Sequence, residues 1–443
     1  MKRVITYGSF DLFHEGHYNL LKRAKALGDY LIVGVTTEHY DETRGKMNVV
    51  DSLMDRIEHV KATGFADEII IEDHKGQKVE DIIKHNVDIF TVGSDWTGAF
   101  DYLKEYCEVV YLERTKDISS TMLRAKNYSI IRVGIIGTGR IANRFIPEAK
   151  YVSGLNVEGV YNPHIESAKA FAEKHQLKFY TDYLDELYDN SDAVYIASPH
   201  ETHYEYIKKA IEHNRHVLCE KPLVLSESQA EEVFALAKEK HVILMEGIKT
   251  AYCPGFNQLL SIARSGSIGE IVDIEACFTK LESPKTRELT DRVYGGSFRE
   301  LASYPLLPII KLFGTKYKDI SFKTVRNSAG IDIYTKGYID YPGGKMATIK
   351  VGLGVKSEGQ LIISGTRGYI IAEAPWWKTT AFEVRYEDQT QNEKYFSKFL
   401  GDGIRYELGD FVSAINGFDA KSMKLTREDS IVMAEIMERF EKE

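Results

Sequence analysis

Two histidines, His14 and His17, flank Gly16 just after the run Gly8-Ser9-Phe10-Asp11, where a strand-like RVITYG gives way to a helix-like stretch. Backbone N–H groups at the start of a helix have no partner within it and bind phosphate. Gly16 lets phosphates approach the backbone, and the imidazoles can donate hydrogen bonds to phosphoryl oxygens that gain charge as pyrophosphate leaves. Phosphoryl transfer needs mainly this positioning. An isolated H-x-x-H is more often a helix cap, so a second feature matters. Arg114-Thr115-Lys116-Asp117-Ile118-Ser119-Ser120-Thr121 follows the strand-like EVVYLE and joins two cations to hydroxyls that can cap a helix and hold phosphate.

A different chemistry begins at Gly134-Ile135-Ile136-Gly137-Thr138-Gly139-Arg140-Ile141-Ala142, which follows a β-branched strand and opens a helix. This is the setting required of a dinucleotide-binding G-x-G-x-x-[GA] turn, and a second strand, VEGVYN, completes the β-α-β unit. The acidic residue that usually grips the adenosine ribose is replaced by Asn162-Pro163-His164. NADP or NAD is therefore admissible, with NADP favoured because no carboxylate repels a 2′-phosphate. Further strand ends carry Ser198-Pro199-His200-Glu201-Thr202-His203 and Cys219-Glu220-Lys221-Pro222. Strand C-termini line the ligand crevice of such a sheet, where Lys221 can polarise a carbonyl or supply a proton.

Elements that position these residues alternate strand and helix through two successive series, the second restarting near residues 126–130. From about Ile271 longer β-rich runs take over, interrupted by SYPLLPIIKLFG and closed by a helix, REDSIVMAEIMERFEKE. The pattern predicts an α/β protein: a Rossmann-like domain carrying the His14–His17 phosphate motif (1–128), a Rossmann dinucleotide-binding domain (129–250), and an α+β domain with a largely antiparallel sheet (251–443). A chain of 443 residues, 43% hydrophobic and 28% charged, can bury a core in each. Its net charge of −9 argues against a nucleic-acid or anionic-membrane surface. The absence of a spanning-length apolar run predicts a cytoplasmic protein without membrane partners. Four scattered cysteines suggest neither a disulfide framework nor a zinc site.

Residues 1 to about 126 resemble the glycerol-3-phosphate cytidylyltransferase family, whose motifs G-[ST]-F-D-x-x-H-x-G-H and R-T-x-x-I-S-[ST]-T both stand here in order. The resemblance implies CTP as substrate with Mg²⁺ on its triphosphate, a polyol phosphate as acceptor, and His14 and His17 on the transferring phosphoryl group. It places Lys46 on the triphosphate, Arg114, Ser119, Ser120 and Thr121 on nucleotide and phosphate groups, and Asp95 and Trp96 at the acceptor and cytidine end. Gly8, Ser9, Phe10, Asp11 and Gly16 are the remaining expected nucleotide contacts. Asp117 stands where that family often has Gly.

From about Val133 the chain resembles the glucose-fructose oxidoreductase, inositol dehydrogenase and rhizopine-catabolism family, which carries an E-K-P tripeptide after its dinucleotide turn. This implies contacts to nicotinamide and substrate by Lys221, and cofactor contacts by Gly137, Thr138, Gly139, Arg140, Ile141, Ala142, Asn162, Ser198, His203 and Glu220. The family motif G-G-[GS]-x-x-x-D-x-G-x-[HY] is met by residues 295–304 only with shifts: Glu300 replaces Asp and Ala302 replaces Gly. Tyr304 falls at the H/Y position and becomes the expected acid/base, with Lys221 lowering its pKa; a buried core tyrosine is the alternative. Both families commonly associate, which predicts a homodimer or homotetramer. The fusion of the two suggests a bifunctional enzyme that reduces a keto- or aldo-sugar phosphate and makes a CDP-alditol, by the resemblance a cell-envelope precursor; the alternative is an active cytidylyltransferase whose oxidoreductase part acts on an unrelated substrate or is a non-catalytic NAD(P)-binding module.

Overall fold

The computed structural model describes the chain except residues 12, 14, 38–39, 41–50, 52, 75, 114–129 and 418–423, and describes Asp95 without its side chain. Two compact units meet in sequence between Ile130 and Ile131.

In the first unit five strands, β1 (Arg3–Gly8), β2 (Tyr30–Thr36), β3 (Glu68–Glu72), β4 (Ile89–Gly93) and β5 (Glu108–Leu112), form a parallel sheet in the order β3-β2-β1-β4-β5. Side chains alternate across such a sheet, and both faces here are covered. Val4, Leu31 and Val33 pack with Leu21 and Ile57 on one face; Ile5, Ile32 and Phe90 pack with Ile82 and Leu103 on the other. The strand order reverses between β1 and β4, which lie in parallel register with Thr6 opposite Thr91. Their C-terminal ends therefore share one edge, the place where open α/β sheets bind ligands.

The second unit starts with another parallel sheet, ordered β11-β10-β9-β6-β7-β8, from β6 (Ile131–Ile136), β7 (Leu155–Tyr161), β8 (Phe179–Thr181), β9 (Ala193–Ile196), β10 (His216–Glu220) and β11 (Leu244–Gly247). Its order reverses between β6 and β9, where Ile136 lies opposite Ile196. The following eight-stranded sheet runs β13-β14-β15-β12-β16-β17-β18-β19, built from β12 (Ile271–Thr279), β13 (Asp319–Arg326), β14 (Asp332–Asp340), β15 (Met346–Gly352), β16 (Leu361–Gly365), β17 (Gly368–Ala372), β18 (Ala381–Tyr386) and β19 (Glu393–Phe396). It is antiparallel throughout except where β12 pairs in parallel with β15. The fold class expected from the sequence is thus the observed one.

SYPLLPIIKLFG forms the helix Ser303–Phe313, which covers β12 and β15. The C-terminal helix, Arg427–Glu441, starts at a capping box in which Thr426 and Asp429 satisfy each other's backbone N–H groups. A further helix, Ile404–Ile415, was not read from the sequence, because nearly its whole first two turns are buried and no apolar stripe stands out. Its Arg405 forms a bidentate ion pair with Glu148 on the helix Arg140–Ala149, with nitrogen–oxygen distances of 3.0 and 2.6 Å.

Candidate active sites

The first site forms at the joint edge of β1 and β4. After Gly8 the chain turns sharply through Phe10, whose φ of 54° is a left-handed value unusual for a residue with a side chain. Its ring is 1% exposed and lies 3.0 Å from where a Cβ on Gly8 would stand, so glycine makes room for the turn. Arg56, wholly buried, holds this region together: its guanidinium donates to the carbonyls of Ser9 (2.9 Å), Thr36 (2.7 Å) and Asp51 (3.0 Å). Asp11 Oδ1 accepts the Asp51 amide at 2.9 Å. Phe10 and Asp11 are both buried, each 1% exposed.

His17 lies in the first turn of the helix Glu15–Lys25, half-buried, its ring 5.4 Å from Phe10 and 5.5 Å from Phe13. At the end of β4, Ser94–Trp96 forms a short turn that leaves Trp96 44% exposed against Phe100. His17, the Ser9 turn and Trp96 thus stem from two adjacent strand ends. His14, Lys46, Arg114, Ser119, Ser120, Thr121 and the Asp95 side chain lie outside the described residues.

The second site is a cavity of about 1130 Å³ within the second unit. Gly137, Thr138, Gly139, Arg140, Ile141, Asn162, Ser198 and Glu220 line it, together with Lys221 and Tyr304. Gly137 has φ 104°, and a Cβ there would stand 2.7 Å from the Ala197 carbonyl oxygen, so the tight turn requires glycine. Gly139 caps the helix Arg140–Ala149, whose free N–H groups and Arg140 suit a pyrophosphate. Asn162 donates to Thr138 Oγ1 at 2.9 Å and accepts the His164 amide, tying the end of β7 to the glycine turn. These features fit a nicotinamide dinucleotide.

Two expected cofactor residues do not reach the cavity. Ala142 is fully buried, the small residue that lets helix and sheet pack closely. His203 is also fully buried, with Nδ1 2.8 Å from the Pro222 carbonyl and Nε2 3.0 Å from the Ser198 carbonyl. It braces the loops after β9 and β10.

Around Lys221 the structure adds residues that the sequence analysis did not count as site residues. Lys221 Nζ lies 3.1 Å from Glu300 Oε1 and donates to the Glu300 carbonyl at 2.8 Å; His200 Nε2 stands 3.6 Å from Glu300 Oε2. Glu300 thus keeps a carboxylate on Lys221 despite replacing Asp in the motif. Gly296 explains the preceding glycine pair: its φ is 117°, and a Cβ would collide with Asp332 Oδ1 at 2.0 Å. Asp332 accepts the Phe298 amide at 2.8 Å and so anchors the short helix that carries Glu300. Burial, assisted by the charge of Lys221, pushes His200 well below the ordinary histidine range and keeps it neutral.

Tyr304 opens to the cavity with its ring edge-on to Phe278, centroids 5.0 Å apart. The expected lowering of its pKa is reversed. Burial first, then the carboxylates of Glu220, Glu300 and Glu407, hold the phenol well above the ordinary tyrosine value. Tyr304 therefore stays protonated at neutral pH. Glu220, which accepts a hydrogen bond from Tyr195 at 2.6 Å, is itself raised by burial.

Family models match this chain in three places: a cytidylyltransferase-like domain over residues 5–126, the oxidoreductase family with NAD-binding Rossmann fold over 131–248, and that family's C-terminal domain over 256–371. Glycerol-3-phosphate cytidylyltransferase of Bacillus spizizenii is 50% identical over 124 residues, 28% of this chain and 95% of the relative. The chain joins a member of the glycerol-3-phosphate cytidylyltransferase family to an oxidoreductase of the glucose-fructose oxidoreductase and inositol dehydrogenase family. For the oxidoreductase part, scyllo-inositol 2-dehydrogenase (NADP⁺) of Bacillus subtilis is 29% identical over 324 residues, covering 71% of this chain and 97% of the relative. A solved 3-ketoreductase from Actinomadura kijaniata, in complex with NADP and TDP-benzene, superposes with a TM-score of 0.61 at 25% identity, over 69% of this chain and 95% of that one. The protein therefore carries a cytidylyltransferase domain and an NAD(P)-dependent oxidoreductase domain. Among the described residues, no helix is long and apolar enough to cross a membrane and no cluster of three acidic, histidine or cysteine side chains could hold a metal.

Proposed function

We propose that the oxidoreductase domain reduces a phosphorylated keto or aldo compound to a polyol phosphate, and that the cytidylyltransferase domain joins this product to CTP. The second step gives a CDP-alditol and releases pyrophosphate, with glycerol phosphate as the default acceptor and Mg²⁺ entering as the metal–CTP complex. One observation carries the reading: Lys221 and a protonated Tyr304 line the same cavity as the Gly137 turn, on a chain whose first domain is half identical to a glycerol-3-phosphate cytidylyltransferase.

A nicotinamide dinucleotide would be held by its pyrophosphate at the Gly137 turn and the start of the Arg140–Ala149 helix, and would supply hydride. The chain's own part is acid catalysis and orientation. Lys221, held by Glu300, polarises the carbonyl, and Tyr304 gives its proton to the oxygen as negative charge develops there. In the first domain, His17 stabilises the phosphoryl group in transfer. The pairing of Lys221 with Glu300 speaks against a C-terminal half that has lost chemistry. Both relatives named above favour polyols and their phosphates as the compounds shared between the domains. We further assign the product to cell-envelope synthesis in the cytoplasm, by a homodimer or homotetramer.

The test is to incubate the protein with CTP, Mg²⁺, NADPH or NADH and a panel of triose to hexose phosphates, identifying products by mass. A CDP-alditol formed only when cofactor and CTP are both present supports the coupled reading. CDP-glycerol from glycerol phosphate, without oxidation of cofactor under any condition, refutes it. The variant His17→Ala serves as a control that stops pyrophosphate release and leaves cofactor oxidation intact.

A further inference from the structure

The half of the cavity away from the Gly137 turn carries more cations than its carboxylates neutralise. Lys221 is paired with Glu300, Arg287 lies 2.7 Å from Glu201, and Lys280 is bonded to Glu282. Lys249, Lys356 and Lys378 also line the cavity, and none of the three makes an ion pair among the described residues. Lys356 donates to the Thr279 carbonyl at 2.8 Å, and the Lys378 ammonium stands 5.5 Å from the Phe399 ring. Lys249 acts through space on buried Glu220 and Glu407. Of the carboxylates lining the cavity, Glu282 and Glu300 stand in ion pairs, and Glu220 and Glu288 stand in none among the described residues. Like charges lining one cavity repel one another, and a bound anion removes that repulsion.

Their placement relative to the proton donor defines what that anion is attached to. Thr250, next to Lys249, donates to the Trp377 carbonyl at 2.7 Å, which brings Lys249 beside Lys378 although 129 positions separate them in sequence. Trp377 stacks on Phe278 with centroids 3.7 Å apart, and Phe278 in turn meets Tyr304 at 5.0 Å. An apolar wall thus runs from Tyr304 to the lysines. Lys356 is fixed at the same wall through Thr279, the neighbour of Phe278.

We propose that Lys249, Lys356 and Lys378 form an anion subsite that holds the phosphate of a short-chain keto phosphomonoester, with its carbonyl at Tyr304. This rests on the reductase reading above and names how that reaction selects its substrate. The ester is untouched by the chemistry: the carbonyl carbon gains hydride from the reduced cofactor, the oxygen gains the Tyr304 proton, and solvent reprotonates the phenol. Oxidised cofactor and a polyol phosphate leave, and the retained phosphate is the nucleophile that cytidylyl transfer needs.

The experiment measures NADPH and NADH oxidation by the full chain with dihydroxyacetone phosphate, erythrulose 4-phosphate and xylulose 5-phosphate, and with their unphosphorylated counterparts. Inorganic phosphate is the competing probe. Phosphorylated ketones should be used with KM at least about ten-fold lower, and phosphate should compete with them but not with the cofactor. Each of Lys249→Ala, Lys356→Ala and Lys378→Ala should raise the KM for the phosphate ester about ten-fold, the loss expected for one charge-assisted hydrogen bond. The kcat, the KM for cofactor and the rate of cytidylyl transfer should stay as in the parent, and Lys378→Arg should restore the KM. A phosphate ester reduced normally by all three alanine variants overturns the subsite and leaves the reductase reading standing. Reduction of unphosphorylated ketones alone overturns both. Reduction only after CTP is added, with the same lysine dependence, shows that the anion is the pyrophosphate of a CDP-linked ketone, and overturns the monoester assignment.

Discussion

Substituting Tyr304 by Phe isolates one proton. Among the described residues the phenol oxygen makes no hydrogen bond, and the ring's edge-on contact with Phe278 survives in phenylalanine. No internal hydrogen bond is lost and no cavity is made beyond one oxygen atom, so stability should change by less than about 0.5 kcal/mol. The catalytic effect should be far larger. A positioned general acid contributes on the order of 10²–10⁴-fold, or roughly 3–5 kcal/mol at 1.36 kcal/mol per decade. The loss should fall on kcat, because the proton moves only as the carbonyl oxygen gains charge. The KM for NADPH should hold, since the dinucleotide's turn and helix lie on other elements. Because the phenol is held well above its ordinary value, the parent enzyme should keep its donor protonated, and reduction should show no falling limb from this group between about pH 7 and 9. The assay is the pH profile of cofactor oxidation for both proteins, with thermal unfolding alongside. A variant that retains kcat within three-fold, or a parent whose reduction rate falls through neutral pH, refutes Tyr304 as the donor.

Gly137→Ala should raise the KM for nicotinamide cofactor at least about ten-fold and lower the melting temperature of the oxidoreductase unit, since the new Cβ would stand 2.7 Å from the Ala197 carbonyl at a φ of 104°. Cofactor titration followed by fluorescence reads this directly, and unchanged affinity counts against the assigned turn. Glu246, 3% exposed, accepts the Leu223 amide at 2.9 Å and is pushed up to about 7, chiefly by burial. A carboxyl raised on folding favours the native state fully below its unfolded value and loses that advantage as pH rises through its folded value. Glu246→Gln should therefore stabilise the protein by about 1–3 kcal/mol at pH 8 and make little difference at pH 5. Chemical denaturation at the two pH values checks this, and equal effects at both would reject the buried acid.

The two chemistries were legible in the sequence because each depends on contiguous residues at a strand end and the following helix start. Gly8 to His17 and Gly134 to Ala142 carry their own turn geometry, so local spacing already states where phosphate can bind. The long β-rich runs after Ile271 likewise announced strands, among them β12 and β14 to β17. What only the tertiary structure decided is which distant groups meet. Glu300 reaches Lys221 across 79 positions through a helix anchored by Asp332, and Trp377 reaches Thr250 across 127 positions through a single hydrogen bond. The family resemblance offered His203 as a cofactor contact; folding turned it inward between two carbonyls. Composition also gave no sign that Tyr304 would stand among three carboxylates. A neighbour's identity sets the direction of a pKa shift only once burial and every other nearby charge are fixed, and these are properties of the packed chain.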